Sequence, residues 1–309
     1  TANLPAAFFA NVDSGGDRDL LVSKVDSEWL GISWRRVADQ VRRLASILVK
    51  SGVEAGDRVL ISAENRPEWA VADLAVMSIG AIVVPAYTTN TEDDHHYIMD
   101  HSGASVAITS GGVLATRIAL ASSRATSLHT LIVMDERFSP PDGMRQQLLH
   151  WHRVIDDAPP LEDLEDRIAV QQPDDVCCFI YTSGTGGRPK GVMLSNRALV
   201  ANTFMALTRI DFPIEIRFLC PAPISHGAGS IVLPTLVRGG TVILQRGFSV
   251  SGFAEAARAH RATVSWMVPT MIGALLDAPD LPSGALSSID TLIYSGAPME
   301  PARVLEALD

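Results

Sequence analysis

Apolar residues along the chain switch repeatedly between helical and strand spacing. Val37, Val41, Leu44 and Leu48 fall on one face behind Ser33, which predicts a helix capped at Ser33 and stopped at Gly52. Arg58–Ser62 reads as a strand. Pro67 opens a helix through Met77, and Ala81–Pro85 reads as a buried strand. Thr91 is placed to cap a further helix whose first turn holds Glu92, Asp93 and Asp94, where the helix dipole favours acids. Strands are predicted next at Val106–Thr109 and Leu131–Met134.

The rhythm breaks between Asp135 and Asp175. Pro140, Pro141, Pro159, Pro160 and many acids predict a surface connection there, with one short helix around Met144–Trp151. A boundary placed in this stretch divides the chain into residues 1–170 and 171–309. Beyond it, strands are predicted at Val176–Tyr181, Gly191–Leu194, Arg217–Cys220, Thr241–Leu244, Thr263–Val268 and Thr291–Tyr294. Helices are predicted at Arg197–Thr208, Ser230–Val237, Gly252–Ala259 and Thr270–Leu276. Alternation of this kind predicts an α/β fold of layered, largely parallel sheets with flanking helices, arranged as two α/β subdomains.

Composition narrows the functions. Of 309 residues, 47% are hydrophobic and 19% charged, which is globular rather than disordered, and the formal net charge of −10 argues against a nucleic-acid partner. An anion can still be held by a local loop. Cys177, Cys178 and Cys220 form neither a zinc spacing nor a disulfide framework, which fits a reducing, cytoplasmic setting. The most apolar stretch, Trp69–Tyr87, is interrupted by Asp73, Gly80 and Pro85 and reads as helix then strand, not a membrane span. No secretory signal is read.

The densest chemistry lies between Tyr181 and Gly191. Gly184, Gly186 and Gly187 leave backbone N–H groups free to turn toward an anion; Thr182, Ser183 and Thr185 add hydroxyl donors, and Lys190 adds a point charge. It is not the P-loop that opens a helix: Pro189 disfavours helix at Arg188, and the residues after Lys190 read as a strand. The segment is therefore expected to join two strands as a mobile flap. A plain Gly-rich hairpin with a surface lysine is the competing reading.

The stretch resembles the signature of the AMP-forming adenylation superfamily, Tyr-Thr-Ser-Gly-Thr-Thr-Gly-x-Pro-Lys-Gly, which comprises acyl-CoA synthetases, luciferases and peptide-synthetase adenylation domains. This chain departs from it at Gly186, losing one hydroxyl worth on the order of 1 kcal/mol where used. Three further segments extend the likeness over nearly the whole chain. Arg58–Trp69 with Gly80–Ala86 resembles the family's early strands, Pro223–Gly229 its next motif, and Tyr294–Pro298 its adenine-binding turn. The first half and the Thr185-Gly186-Gly187 variant look closest to bacterial long-chain fatty-acyl-CoA synthetases; the second half looks more like medium-chain or aryl-acid members.

The resemblance implies ATP, Mg²⁺ and coenzyme A, with a small carboxylic acid as partner. The carboxylate attacks the α-phosphorus, pyrophosphate leaves, and a thiol then takes the acyl group. Because the carboxylate is already ionised at neutral pH, positioning and charge neutralisation on the phosphates suffice and no triad is needed. Lys190 and His226 are the residues implied for catalysis. Thr182, Ser183, Gly184, Thr185, Gly186, Gly187 and Lys190 are implied for the phosphates, and Ser295, Gly296, Ala297 and Pro298 for adenine. His226, Gly227 and Gly229 are implied for the acyl pocket. Read on their own, His226 is equally a histidine satisfied within a Gly-flanked turn, the two glycines equally serve that turn, and Ser295–Pro298 is equally an ordinary strand-to-helix turn. Asp93, Asp94, His95, His96 and His101 lack a metal-ligand spacing and are read as the solvated first turns of a helix; no protein metal site is assigned. Trp266 and Met267 are read as core.

The function expected is ATP-dependent activation of a carboxylic acid, a fatty acid foremost, followed by thioesterification to coenzyme A. The alternatives are an adenylation domain loading an aryl or amino acid onto a carrier protein, and a non-catalytic nucleotide-binding fragment. The chain stops within a predicted helix, Pro301–Leu308, before the family's later motifs. It is read as the front portion of such an enzyme, inactive as cut. No integral membrane segment is expected, and a fatty substrate leaves room for loose membrane association.

Overall fold

A computed structural model describes residues 3–182 and 188–308. In chain order the elements are α1 (Leu4–Gly15), β1 (Asp19–Val25), β2 (Glu28–Ser33), α2 (Trp34–Lys50), β3 (Arg58–Ser62), α3 (Pro67–Ser78), β4 (Ile82–Pro85), α4 (Glu92–Ser102), β5 (Val106–Thr109) and α5 (Gly112–Arg124). Then come β6 (Thr130–Val133), β7 (Gln147–His150), α6 (Trp151–Asp157), α7 (Leu164–Val170), β8 (Val176–Thr182), β9 (Lys190–Ser195) and α8 (Asn196–Arg209). The chain continues through β10 (Arg217–Cys220), α9 (Gly229–Val237), β11 (Thr241–Leu244), α10 (Val250–His260), β12 (Val264–Met267), α11 (Pro269–Leu276), β13 (Thr291–Tyr294) and α12 (Pro301–Glu306).

The strands form two mixed, mostly parallel sheets flanked by helices. The seven-stranded sheet runs β7-β6-β5-β3-β4-β8-β9, parallel except for the terminal β8–β9 hairpin. The six-stranded sheet runs β13-β12-β10-β11-β1-β2, parallel except for β1–β2. Strands β4, β5, β6 and β12 are short and buried at every position, as parallel strands covered on both faces must be. The core of the first sheet gathers Leu60, Val84, Ile98, Ile118 and Leu131; that of the second gathers Val22, Leu219, Ile243, Phe253 and Met267.

Two compact units result. One is Thr1–Ala10, Arg36–Glu64 and Glu68–Ala201; the other is Asn11–Arg35, Asn65–Pro67 and Asn202–Asp309. The boundary expected between residues 170 and 171 does not follow this division. β8 and β9 continue the first sheet beside β4, while β1 and β2 join the second beside β11. Sequence order suggested a cut where the prolines cluster; hydrogen-bond pairing carries the chain across it. The helix expected around Met144–Trp151 is likewise replaced. Gln147–His150 pairs with β6 as a parallel edge strand, and the helix starts only at Trp151. The β1–β2 hairpin was not anticipated. Its turn uses Asp26 (φ 46°) and Ser27 (φ 78°) in left-handed conformations usually marked by Asn-Gly.

Helix α4 forms as its sequence predicts. Thr91 caps it, its side chain accepting from the Asp94 backbone N–H while the Asp94 carboxylate accepts from the Thr91 N–H, a reciprocal capping box. Gly103, at φ 66°, closes the other end, and Arg58 on β3 donates to the Ser102 and Gly103 carbonyls at 2.7 and 3.0 Å. One reading of this helix changes: His95 is not solvated but fully buried, and neither ring nitrogen has a hydrogen-bond partner among the described residues. Burial, then the nearby Arg117, holds its pKa down to about 4 from 6.5. The folded state therefore resists a proton that the unfolded chain accepts. His95 contributes stability in full above pH 6.5 and loses it as pH falls toward 4. In His95→Leu, the loss of unfolding free energy between pH 6.5 and pH 4 is expected to shrink by about 2–3 kcal/mol relative to the wild type. Urea unfolding at both pH values checks this, and parallel profiles would refute it.

Candidate functional site

One group of candidate residues lies in the seven-stranded unit. β8 and β9 pair antiparallel, with Tyr181 opposite Gly191 and Thr182 opposite Lys190, so the Gly-rich segment joins two strands as expected. Ser183, Gly184, Thr185, Gly186 and Gly187 lie outside the described residues. Thr182 and Lys190 are exposed where the two strands enter that segment. A Cβ at Gly191 would sit 3.3 Å from the Tyr181 ring, a tight contact that glycine avoids.

Both stems of the hairpin are tied to α4. Tyr97 Oη donates to the Pro189 carbonyl at 2.9 Å, and the Arg188 guanidinium lies 5.5 Å from the centre of the Tyr97 ring. One turn on, His101 Nδ1 lies 2.8 Å from Tyr181 Oη. The rings of Tyr97 and His101 are 5.2 Å apart, and those of His101 and Tyr181 5.7 Å apart. Burial, and secondarily Tyr97, pushes the Tyr181 phenol up to about 12, so it keeps its proton throughout the neutral range. Neither Tyr97 nor this role of His101 was found from the sequence; an i,i+4 aromatic pair on a helix more often means packing.

A separate group of candidate residues lies in the six-stranded unit, at the C-terminal ends of its parallel strands, where open α/β sheets place their ligands. β10 leads into Pro221–Ala228, which carries His226, and β13 leads into Ser295–Pro298. Between them in the sheet lies β12. Gly227 lies against the Trp266 ring, 2.7 Å from where its Cβ would be, and Gly296, at φ 92°, lies over Val268. Trp266 and Met267 are core, as read from the sequence, but Trp266 also forms the floor under Gly227. A Cβ at Gly229 would collide with the Ile224 carbonyl, so this glycine serves the backbone turn.

Asn65 shapes the His226 segment. This buried amide donates to the Cys220 and Ala222 carbonyls at 3.0 and 2.8 Å and accepts from the Ile224 N–H at 2.8 Å. Three consecutive alternate backbone groups beyond β10 are thus held by one side chain. His226 Nδ1 lies 2.8 Å from the Ser225 hydroxyl, and burial holds the imidazole pKa down to about 4, leaving it neutral at pH 7. It offers a hydrogen bond there rather than a charge. Among the described residues, no three His, Cys, Asp or Glu side chains gather to hold a metal ion, and no helix is long and apolar enough to cross a membrane.

Comparison with known proteins gives this geometry its context. The chain is 35% identical over 281 residues to a feruloyl-CoA synthase of Amycolatopsis sp, covering 90% of this chain and 52% of that protein. It is 27% identical to the medium/long-chain-fatty-acid–CoA ligase FadD8 of Mycobacterium tuberculosis, covering 88% of this chain and 47% of the ligase. It thus spans about half the length of these curated relatives. The benzoate CoA ligase of Burkholderia xenovorans LB400 shares the fold, with a TM-score of 0.80 at 23% identity over 98% of this chain and 58% of that one. With the match to the family of AMP-binding enzymes running over residues 8–309, the chain belongs to that family.

Proposed function

We propose that this chain handles ATP in the activation of a carboxylic acid to an acyl-adenylate, with the acyl group then passed to coenzyme A. The observation that carries the reading is the β8–β9 hairpin, which sets the Thr182 hydroxyl and the Lys190 charge opposite one another at the mouth of the Gly-rich segment. Within the reading, Thr182, Ser183–Gly187 and Lys190 take the triphosphate, and Ser295–Pro298 takes adenine. His226, Gly227 and Gly229 face the acid. A carboxylate oxygen attacks the α-phosphorus as the bond to the bridging oxygen breaks, and pyrophosphate leaves with that electron pair. The thiol then attacks the acyl carbon and AMP departs. Neutral His226 would orient the carboxylate or an α-phosphate oxygen by hydrogen bonding. Magnesium would arrive with the triphosphate, whose oxygens are its ordinary ligands, since the described residues offer no cluster of their own.

A fatty acid is the first substrate class proposed. The 35% identity to feruloyl-CoA synthase supports an aryl-substituted acid as the second. Three free cysteines accord with a reducing, cytoplasmic setting for a thiol-dependent ligase. Labelled pyrophosphate should exchange into ATP only when a suitable acid is added to the enzyme that carries this chain. A panel of fatty acids of graded length and hydroxycinnamates ranks the two classes. Absence of exchange with every acid, alongside measurable ATP binding, would leave a nucleotide-binding module and overturn the activation reading.

A further inference from the structure

We propose that Tyr97 and His101 are positioning residues for ATP: α4 clamps both stems of the β8–β9 hairpin and so sets where Thr182 and Lys190, at the ends of those stems, meet a triphosphate. The inference deepens the proposed ATP site and rests on it. Its ground is that one helix face serves both ends of one loop. Tyr97 holds the outgoing stem through the Pro189 carbonyl and through the face of its ring under Arg188. His101, four residues on, holds the incoming stem through Tyr181 Oη. Residues four apart lie above one another on a helix, so the two grips share one rigid surface. Tyr97, His101, Arg188 and Pro189 also line one cavity.

The clamp is itself anchored. The capping box at Thr91 and Asp94 fixes the start of α4, and Arg58 holds its last carbonyls to the central strand β3. The hairpin, by contrast, lies at the edge of its sheet with β9 paired on one side only. An edge hairpin needs such external fixing if Thr182 and Lys190 on its two strands are to be preorganised for an anion.

The test compares ATP with adenosine, because only ATP reports on phosphate gripping. Tyr97→Phe keeps the ring under Arg188 and removes only the hydroxyl. It is expected to weaken ATP binding roughly 3- to 10-fold, the range of one hydrogen bond, with adenosine binding and thermal midpoint unchanged. His101→Leu is expected to do the same, and His101→Asn, whose amide can reach the Nδ1 position, to restore binding. Lys190→Ala is measured in parallel. If Lys190→Ala weakens ATP selectively while Tyr97→Phe and His101→Leu do not, the clamp is overturned and the phosphate loop stands. If Lys190→Ala leaves ATP binding unchanged, the phosphate-loop reading falls and the clamp falls with it. Equal weakening of ATP and adenosine by the α4 variants, or a lowered midpoint without rescue by His101→Asn, would reduce them to ordinary packing.

Discussion

Lys190→Ala should lower kcat/KM for ATP about 100-fold in the enzyme that carries this chain, the scale on which a preorganised charge at transferring phosphates acts. The fold should not register the change. Lys190 is the first residue of an edge strand, is exposed, and pairs with no carboxylate among the described residues. Truncating such a side chain alters stability by less than about 0.5 kcal/mol. KM for the acid should move little, because the charge addresses the nucleotide. Lys190→Arg should recover only part of the loss, since a planar guanidinium does not replace a compact ammonium. ATP kinetics indistinguishable from the wild type would remove the phosphate-loop assignment.

Asn65→Leu should destabilise the six-stranded unit by about 2–4 kcal/mol, because it orphans the buried Ile224 N–H and removes one donor each from the Cys220 and Ala222 carbonyls. The Ile224 N–H loses its described acceptor, whereas the Cys220 carbonyl keeps the Gln245 N–H at 3.1 Å and the Ala222 carbonyl keeps the Cys220 thiol at 3.3 Å. Asn65→Asp separates the contributions. It keeps an acceptor for Ile224 but turns a carboxylate toward two carbonyls, and should cost at least as much. Urea unfolding gives the total, and hydrogen exchange at the Ile224 amide locates it. A loss under about 1 kcal/mol with that amide still protected would mean that water or a neighbour takes over the role of Asn65.

Much of this architecture was legible because the local signals are strong. Arg58–Ser62, Arg217–Cys220, Thr241–Leu244 and Thr291–Tyr294 are strands over the spans read from the sequence, and the Thr91 cap forms. Parallel strands that are buried on both faces show as short apolar runs, and caps show as single residues. Pairing partners have no such signature. β8 pairs in parallel with β4, which lies far earlier in the chain, and β1 joins a sheet whose nearest parallel neighbour follows it by more than two hundred residues. That is why a boundary drawn at 170/171 departs from the two compact units although most elements on each side of it form where they were read. Among the candidate residues, glycine spacing drew attention to the segment between β8 and β9 and to the Pro223–Gly229 turn. The residues that hold those segments did not show. Asn65, Tyr97 and His101 act through backbone carbonyls and a phenol far away in sequence, and one chain of letters does not record which carbonyl a side chain meets. His95 was misread for a related reason: its flanking acids face water while it turns inward.

The pairing of Leu21 with Val242 also sets a timetable for a ribosome. At roughly 5–20 residues per second, the β1–β2 hairpin waits about 10–40 s for its sheet partner to be translated. The seven-stranded sheet, by contrast, has its last strand by Ser195 and can mature while synthesis continues. The early hairpin spends that interval as an orphaned ribbon with Leu20, Leu21 and Val22 uncovered, residues that the finished protein hides almost completely. Nascent chains halted between β9 and β11 should therefore be the ones that holdase chaperones recognise at their N-terminal end, and those released after Leu244 should not.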